Sequence, residues 1–388
     1  MKVCFETFGC RLNKAEALQM EAEYLAQGWE LTAEHKDADL FVVRGCSVTR
    51  RAQAGCERLI AHLHRHYPTI PIRVCGCLSK KGYSPLALPN VKTDAGAVPT
   101  RTARAYLKVQ DGCSGHCSFC IVPRFRGRSN SSDLTAVLDK AKRFIDAGYL
   151  ELVVTGCNLS LYASQGKRLP DLVEALARLD AGCRIRIGSV EPGDCAMETV
   201  HAMAGWANVC KFLHLPIQSG SRQILLAMKR PYDVNAIDEV AETAERLMPT
   251  LGLGCDIITG FPGETDLDFT ATRGLLKRHH FSNIHVFPFS SRPGTIAETL
   301  PHHVPSEIRS DRARKVSQEA SRARASFARK FANREVEVLI EHELEGKSVG
   351  WTGEYFRCEI KGCAARKSLV RVAVSKVEGD RLFGTLAK

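Results

Sequence analysis

Nowhere in the 388 residues does an apolar run reach the roughly 18 positions that a membrane-spanning helix needs. The opening, MKVCFETFGC, has no apolar core of the kind a secretory signal carries and reads as a first strand. The expectation is a cytoplasmic protein with nothing in the membrane. Acidic residues are the next shortage: 43 Asp and Glu stand against 54 Lys and Arg, a net charge of +11 with a pI near 9.0. That excess favours a polyanionic partner, nucleic acid above all. Disulfides are not expected in a reducing compartment, so the sixteen cysteines point to metal binding. The length allows two or three domains with real cores.

The cysteines are not spread evenly. Within residues 106–130, YLKVQDGCSGHCSFCIVPRFRGRSN, Cys113, Cys117 and Cys120 follow one another at spacings of three and two residues. Thiolates are soft ligands that suit iron–sulfur clusters. Three on one short loop hold three irons of a cubane and leave the fourth open to a small molecule that binds through amine and carboxylate. Gly112 and Gly115 give the loop freedom to wrap round a cluster. A structural zinc site wants four ligands and another spacing. Arg124, Arg126 and Arg128 come just after, placed either for substrate phosphate or a cofactor carboxylate, or simply on a solvated loop.

Residues 1–98 read as βαβαβ: strands over 2–8, 40–43 and 72–74, helices over 13–27 (Asn13 as N-cap, Glu16 at N3) and 49–66. This predicts a parallel, flavodoxin-like sheet. Each strand ends in a Gly-Cys pair, Gly9-Cys10, Gly45-Cys46 and Gly76-Cys77. Ligands of open parallel sheets bind beyond the carboxyl ends of strands, so these three thiolates converge and suit a second cluster with an open iron. Cys75, on the strand itself, is the alternative to Cys77. Cys4, Cys56, Cys157, Cys183, Cys195, Cys210 and Cys255 read as packing residues.

Residues 84–105, with three prolines, read as an interdomain connection. Beyond them six strand candidates (106–109, 150–155, 184–189, 212–215, 254–258, 284–289) alternate with helices over 132–147, 169–179, 195–204, 234–248 and 266–279. That pattern predicts a parallel, partly closed barrel with its active groups at the carboxyl ends of strands. Residues 305–333 read as a long basic helix on which Arg312, Lys315, Glu319 and Arg322 form a stripe suited to phosphates, or else a solvated face. Residues 335–388 alternate in short segments and predict a small antiparallel β barrel, where Tyr355 or Phe356 offers a base-stacking ring and Arg357 a phosphate contact.

The cysteine loop, with Phe119 just before its third cysteine, resembles the signature of the radical S-adenosylmethionine (SAM) enzymes. The longer strings KVQDGC, CSFCIVP and RGRS resemble one branch, the methylthiotransferases. TFGCRLNKAE, VVRGCSVT and VCGCLS resemble that branch's N-terminal cysteine segments; RIRIGSVEP, HLPIQSGS, DIITGFPGET and HVFPFSSRPGT resemble its later ones. One departure is Arg44-Gly45-Cys46, where the family usually has Asn-Thr-Cys. The resemblance implies an α/β protein in four parts. These are residues 1–98 with an auxiliary cluster, a radical SAM partial (β/α)6 barrel over 99–304, a connecting helix over 305–333, and a TRAM-like (OB-like) RNA-binding domain over 334–388.

It further implies two [4Fe–4S] clusters, with Cys113, Cys117 and Cys120 on the SAM-cleaving one and Cys10, Cys46 and Cys77 on the auxiliary one. Phe119, Ser189, Glu191, Gln218 and Asp256 would contact SAM. Reductive cleavage of SAM would yield methionine and a 5′-deoxyadenosyl radical, starting replacement of an aromatic C–H by a carbon–sulfur bond. The opening TFGCRLN resembles the branch acting on threonylcarbamoyladenosine at tRNA position 37. Isopentenyladenosine, a ribosomal protein aspartate, or a non-catalytic iron–sulfur RNA-binding role are the alternatives. The expected partners are the tRNA anticodon stem-loop, an electron donor such as flavodoxin or ferredoxin, and a sulfur donor.

Overall fold

The structure is a computed structural model that describes residues 1–47, 50–79 and 102–387. Strands and helices are numbered in chain order. The N-terminal unit runs β1 (Lys2–Thr7), α1 (Arg11–Ala26), β2 (Glu30–Thr32), β3 (Leu40–Gly45), α2 (Arg50–His66) and β4 (Ile72–Gly76). Its sheet is parallel throughout, in the order β2-β1-β3-β4. The short edge strand β2 was not legible, because three residues carry no alternation to read. The register pairs Thr7 with Arg44 and Gly45 with Gly76, so β1, β3 and β4 end at one edge.

Asn13 is not an N-cap. Helix α1 begins two residues earlier, behind Cys10. Asn13 lies inside it, 1% exposed, its side-chain amide donating to the carbonyls of Phe8 (2.7 Å) and Gly45 (3.3 Å). It ties together the loops that follow β1 and β3. Most of the expected connection over 84–105 falls outside the described residues.

The central unit comprises β5 (Ala105–Lys108), β6 (Gln110–Asp111), α3 (Val122–Arg126), β7 (Asn130–Ser131), α4 (Leu134–Asp146), β8 (Glu151–Thr155), β9 (Ala163–Ser164), β10 (Lys167–Arg168), α5 (Leu169–Ala177) and β11 (Arg184–Ile187). It continues with α6 (Asp194–Gly205), β12 (Phe212–Gln218), α7 (Arg222–Ala227), α8 (Val234–Leu247), β13 (Gly252–Thr259), α9 (Asp266–Arg278) and β14 (Phe281–Pro288). Two parallel sheets, β11-β8-β5 and β12-β13-β14, meet through the parallel bridges Ile185–Val209 and Ser189–His214. The result is the expected six-stranded, partly closed barrel.

Strands such as β8 and β11 are buried at every position, as parallel strands covered on both faces must be. The helices start on side-chain caps: Asp133 for α4, Asp233 for α8, and Thr265 with Asp268 as a capping box for α9. Helices α3 and α7 were missed, being five and six residues long.

Helix α10 (Ser306–Ala328) packs along β14 and leads into β15 (Glu335–Leu344), β16 (Lys347–Thr352), β17 (Arg357–Lys361), β18 (Leu369–Glu378) and β19 (Arg381–Leu386). These five strands close a barrel in the order β15-β16-β17-β19-β18. It is not wholly antiparallel, since β17 and β19 pair in parallel. Phe327 and Phe331, just ahead of it, belong to its core with Phe356. Among the described residues no helix is long and apolar enough to cross a membrane.

Candidate iron–sulfur and SAM site

Cys113, Cys117 and Cys120 lie on the loop between β6 and α3 at the rim of the barrel. A Cβ on Gly115 would stand 3.2 Å from Cys113 Sγ and 3.9 Å from Cys117 Sγ, so the two sulfurs flank a glycine that has to be small. The loop is pinned at both ends and in the middle. Cys113 N–H donates to Gly127 O (3.0 Å). Ser118 donates from its backbone to Met228 O (3.0 Å) and from its hydroxyl to Ala227 O (2.8 Å), at the end of α7. Burial pushes the Cys120 thiol up to about 11, with Cys117 and Cys113 nearby adding to the rise. Burial likewise raises Cys117, against the pull of Arg230. A cluster bound here has to displace the protons of Cys117 and Cys120, so its binding releases protons.

Cys10, Cys46 and Cys77 follow β1, β3 and β4 at the shared edge. Gly9 has a φ of 97°, and a Cβ there would sit 2.6 Å from Cys46 Cβ and 3.0 Å from its sulfur. Glycine is therefore required twice over, by backbone conformation and by the approach of the second cysteine. Cys10 is exposed, while Cys46 and Cys77 are buried. Cys75 turns into the apolar cluster of Val3, Tyr24, Leu40 and Val42, with its sulfur 3.9 Å from Met20 Sδ. Cys77 packs instead against Ile121 and Phe125, immediately downstream of Cys120. That contact joins the two cysteine sets across the seam between sheet and barrel. Of the cysteines read as packing, Cys4, Cys56, Cys183, Cys195, Cys210 and Cys255 are buried; Cys157 is only half-buried, its sulfur 3.5 Å from Asp111 Oδ1.

Beside the cysteine loop lies a cavity of about 570 Å³. Its lining includes Phe119, Cys120, Gln218, Asp256, Ile258 and Phe287. Mostly apolar, with a few polar groups, it has the size and character of a cofactor pocket. Gln218 adopts a φ of 64°, an unusual conformation for a side-chain-bearing residue and one that recurs at functional sites. Asp256 is held between His214 (3.2 Å) and His285 (3.2 Å); burial works against its charge, but the two imidazoles keep its carboxyl well below the usual range.

Glu191 is linked to the loop through Arg230. It accepts from Asn158 Nδ2 (2.9 Å) and from Arg230 Nη2 (2.5 Å), and Arg230 Nη1 reaches Cys117 Sγ at 2.8 Å. Ser189 is exposed on the loop after β11. Sequence reasoning missed Asn158, Arg230, His214 and His285. No local sequence pattern marks Arg230.

The structure corrects three of the expected nucleic-acid contacts. Arg126 is turned inward onto Glu16, Asp111 and Asn13. Arg312 is buried on Glu264 and Asp266 (2.8 Å), and Glu319 is taken by Arg273, so the stripe on α10 is broken. Tyr355 stacks on Phe212 with ring centres 5.0 Å apart, with Trp351 against it at 5.0 Å, and has no free face for a base. Phe356 is fully buried. Arg124, Arg128, Lys315 and Arg322 are exposed, Lys315 beside Asp311 at 2.8 Å. Arg357 is half-buried beside Glu359.

A six-stranded parallel barrel with three cysteines on its first long rim loop defines a radical SAM protein. The profile of the radical SAM superfamily matches residues 107–276, and that of an uncharacterised protein family, UPF0004, matches residues 2–94. Full-length relatives carry both parts. The threonylcarbamoyladenosine tRNA methylthiotransferase MtaB of Chlamydia pneumoniae is 30% identical over 97% of this chain and 96% of its own length. MtaB of Bacillus subtilis (strain 168) is 29% identical over 93% and 90%. The tRNA-2-methylthio-N(6)-dimethylallyladenosine synthase of Aquifex aeolicus (strain VF5) is 28% identical over 99% and 98%. The chain belongs to the radical SAM methylthiotransferase family, and its cofactors are SAM and two [4Fe–4S] clusters. Among solved structures, the radical SAM methyltransferase TsrM from Kitasatospora setae shares the fold, with a TM-score of 0.55 at 13% identity over 76% of this chain and 74% of that one.

Proposed function

We propose that this protein is a cytoplasmic tRNA methylthiotransferase that replaces the C2 hydrogen of threonylcarbamoyladenosine at position 37 with a methylthio group. The observation that carries the reading is the packing of Cys77 against Ile121 and Phe125, which brings two three-cysteine sets to one seam. When bound, SAM and the two clusters supply the radical, the sulfur and the methyl group. Cys113, Cys117 and Cys120 hold the cluster that meets SAM, and Cys10, Cys46 and Cys77 hold the auxiliary one. The domain limits follow the same division, at 98, 304 and 333.

The chain's own residues do the positioning. Arg230 and Asn158 orient the Glu191 carboxylate beside the loop, where Glu191 and Ser189 suit the ribose and amino groups of SAM. Phe119, Gln218 and Asp256 line the cavity for the rest of it. Burying these groups in a walled cavity excludes water from a reaction that water would quench. Arg124, Arg128, Lys315, Arg322 and Arg357 are the cations left for tRNA phosphates. The threonylcarbamoyl choice over isopentenyl rests on the TFGCRLN opening and on the names of the first relatives. An electron donor and a sulfur donor complete the requirement.

The test is mass spectrometry of nucleosides from bulk tRNA of a strain lacking the gene. Loss of the methylthiolated threonylcarbamoyladenosine, with its precursor accumulating, is expected. Loss of the isopentenyl product instead would keep the reaction and overturn the substrate. With purified protein, Cys117→Ala is expected to abolish 5′-deoxyadenosine formation. Cys77→Ala is expected to spare it while stopping methylthiolation; intact methylthiolation would move the ligand role to Cys75.

A further inference from the structure

The carboxylate of Glu16 bridges the seam between the N-terminal sheet and the barrel. Glu16, in the second turn of α1, has a side chain only 12% exposed. It accepts from Arg44 at the end of β3, from Lys108 Nζ at the end of β5 (2.6 Å), and from both terminal nitrogens of Arg126 at the end of α3 (2.9 and 3.1 Å). Arg126 Nη2 also donates to Asn13 Oδ1 (2.9 Å), and Asp111 takes Lys108 and Arg126 at 2.6 and 3.0 Å.

Three parts of this network, Arg44, α1 with Asn13, and Arg126, lie close to cysteines. Arg44 is two residues before Cys46. Helix α1, which carries Glu16, is capped by Cys10. Asn13 fixes the carbonyls ahead of Cys10 and Cys46. Arg126 closes the short helix that starts two residues after Cys120 and whose Phe125 covers Cys77.

We propose that Glu16 is a positioning residue that fixes the distance and orientation of one cysteine set relative to the other. This rests on the reading that both sets hold clusters. Once SAM-derived chemistry has removed the substrate hydrogen, the carbon must already lie within reach of the sulfur, and a misplacement of about 1 Å costs on the order of 100-fold in rate. A carboxylate shared by three cations from β3, β5 and α3 allows little such slack. The network also gives Arg44 a purpose: where the family usually has asparagine, the cation adds β3 directly to the clamp.

The test compares full-length, cluster-reconstituted wild-type protein with Glu16→Gln and Glu16→Asp. Glu16→Gln is expected to keep its iron content and its KM for SAM, while 5′-deoxyadenosine released per methylthiolated nucleoside rises at least tenfold. Glu16→Asp, which keeps the charge on a shorter arm and guards against failed folding of the glutamine variant, is expected to restore part of the coupling. An unchanged ratio overturns the proposal. So does a fall in SAM cleavage in step with product, which marks a merely structural role. Hydrogen exchange on the cluster-free chain gives a second readout. In Glu16→Gln, α1 and α3 are expected to exchange faster together while β8 and β13 hold. Unchanged exchange in α1 and α3 overturns the clamp even if the wild-type enzyme methylthiolates nothing, the outcome that would instead overturn the functional reading.

Discussion

The barrel is bolted at both ends by the same device, one carboxylate among three cations, and the two copies are built to different standards. At the base, Glu151 is fully buried and meets Arg104 (3.2 Å), Arg184 (3.0 Å) and Arg186 (2.7 Å). Its surplus of donors is spent on backbone carbonyls of the C-terminal barrel: Arg184 on Trp351 O (3.2 Å), Arg186 on Thr352 O and Gly353 O (3.0 Å each). At the top, Glu16 shares its cations with side chains that are partly wet, Asp111 being 34% and Lys108 24% exposed. The sealed end is away from the two three-cysteine sets, and the wetter end is beside them. One fixes the C-terminal barrel; the other holds the seam at which the proposed chemistry takes place.

The sharpest way to break the comparison is to remove the sealed carboxylate. Glu151→Gln strands buried guanidinium groups, and a loss of about 3–5 kcal/mol is expected by denaturant titration. Asn13→Ala at the top leaves the Phe8 and Gly45 carbonyls without their donor. It is expected to cost about 1–3 kcal/mol and to lower iron content at the N-terminal site before the barrel site. Equal losses at the two sites would show that Asn13 does not serve the N-terminal set selectively.

Acid separates the ends more gently. Burial alone would raise the Glu16 pKa, but the hydrogen bond from Arg126 and the charges of Arg44 and Arg126 outweigh it and hold it at about 2. A carboxyl depressed in the folded state contributes stability that is complete above its unfolded value, 4.5, and is lost as pH falls toward 2. Glu151 is also depressed, against full burial, by Arg186, Arg184 and Arg104. Because the Glu16 end is the wetter of the two, hydrogen exchange through this range is expected to open α1 and α3 first and the Trp351–Phe356 segment later. The reverse order would contradict the ranking.

The two cysteine sets differ in how far the sequence alone exposes them. Cys113, Cys117 and Cys120 are close in the chain, so their spacing is enough. Cys10, Cys46 and Cys77 required the strands to be placed first, which the Gly-Cys endings made possible. Gln218 and Asp256, which line the cavity beside the cysteine loop, were legible from their place at or near strand ends. Arg230 was not, because it reaches Cys117 across 113 residues after a six-residue helix that has no periodicity of its own. The basic residues misled for a related reason. A cation on an exposed loop and one sealed on a carboxylate look alike in sequence, and only the partner, 110 residues away for Arg126 and 48 for Arg312, decides between them.

The smallest expected effects test that last distinction. Tyr355 is spoken for by Phe212, Trp351 and the guanidinium of Arg186, 5.1 Å from its ring centre. Tyr355→Leu is expected to cost about 1 kcal/mol of stability and to leave tRNA affinity unchanged. Arg322, exposed on α10, carries the opposite expectation: Arg322→Ala leaves the melt where it was and lowers the slope of log affinity against log salt by about 1. Filter binding of tRNA over a salt series reads both variants at once. A Tyr355→Leu protein that folds yet loses tRNA affinity would return the base of the barrel to the substrate surface, and the contrast between a sealed structural end and a working one would fail.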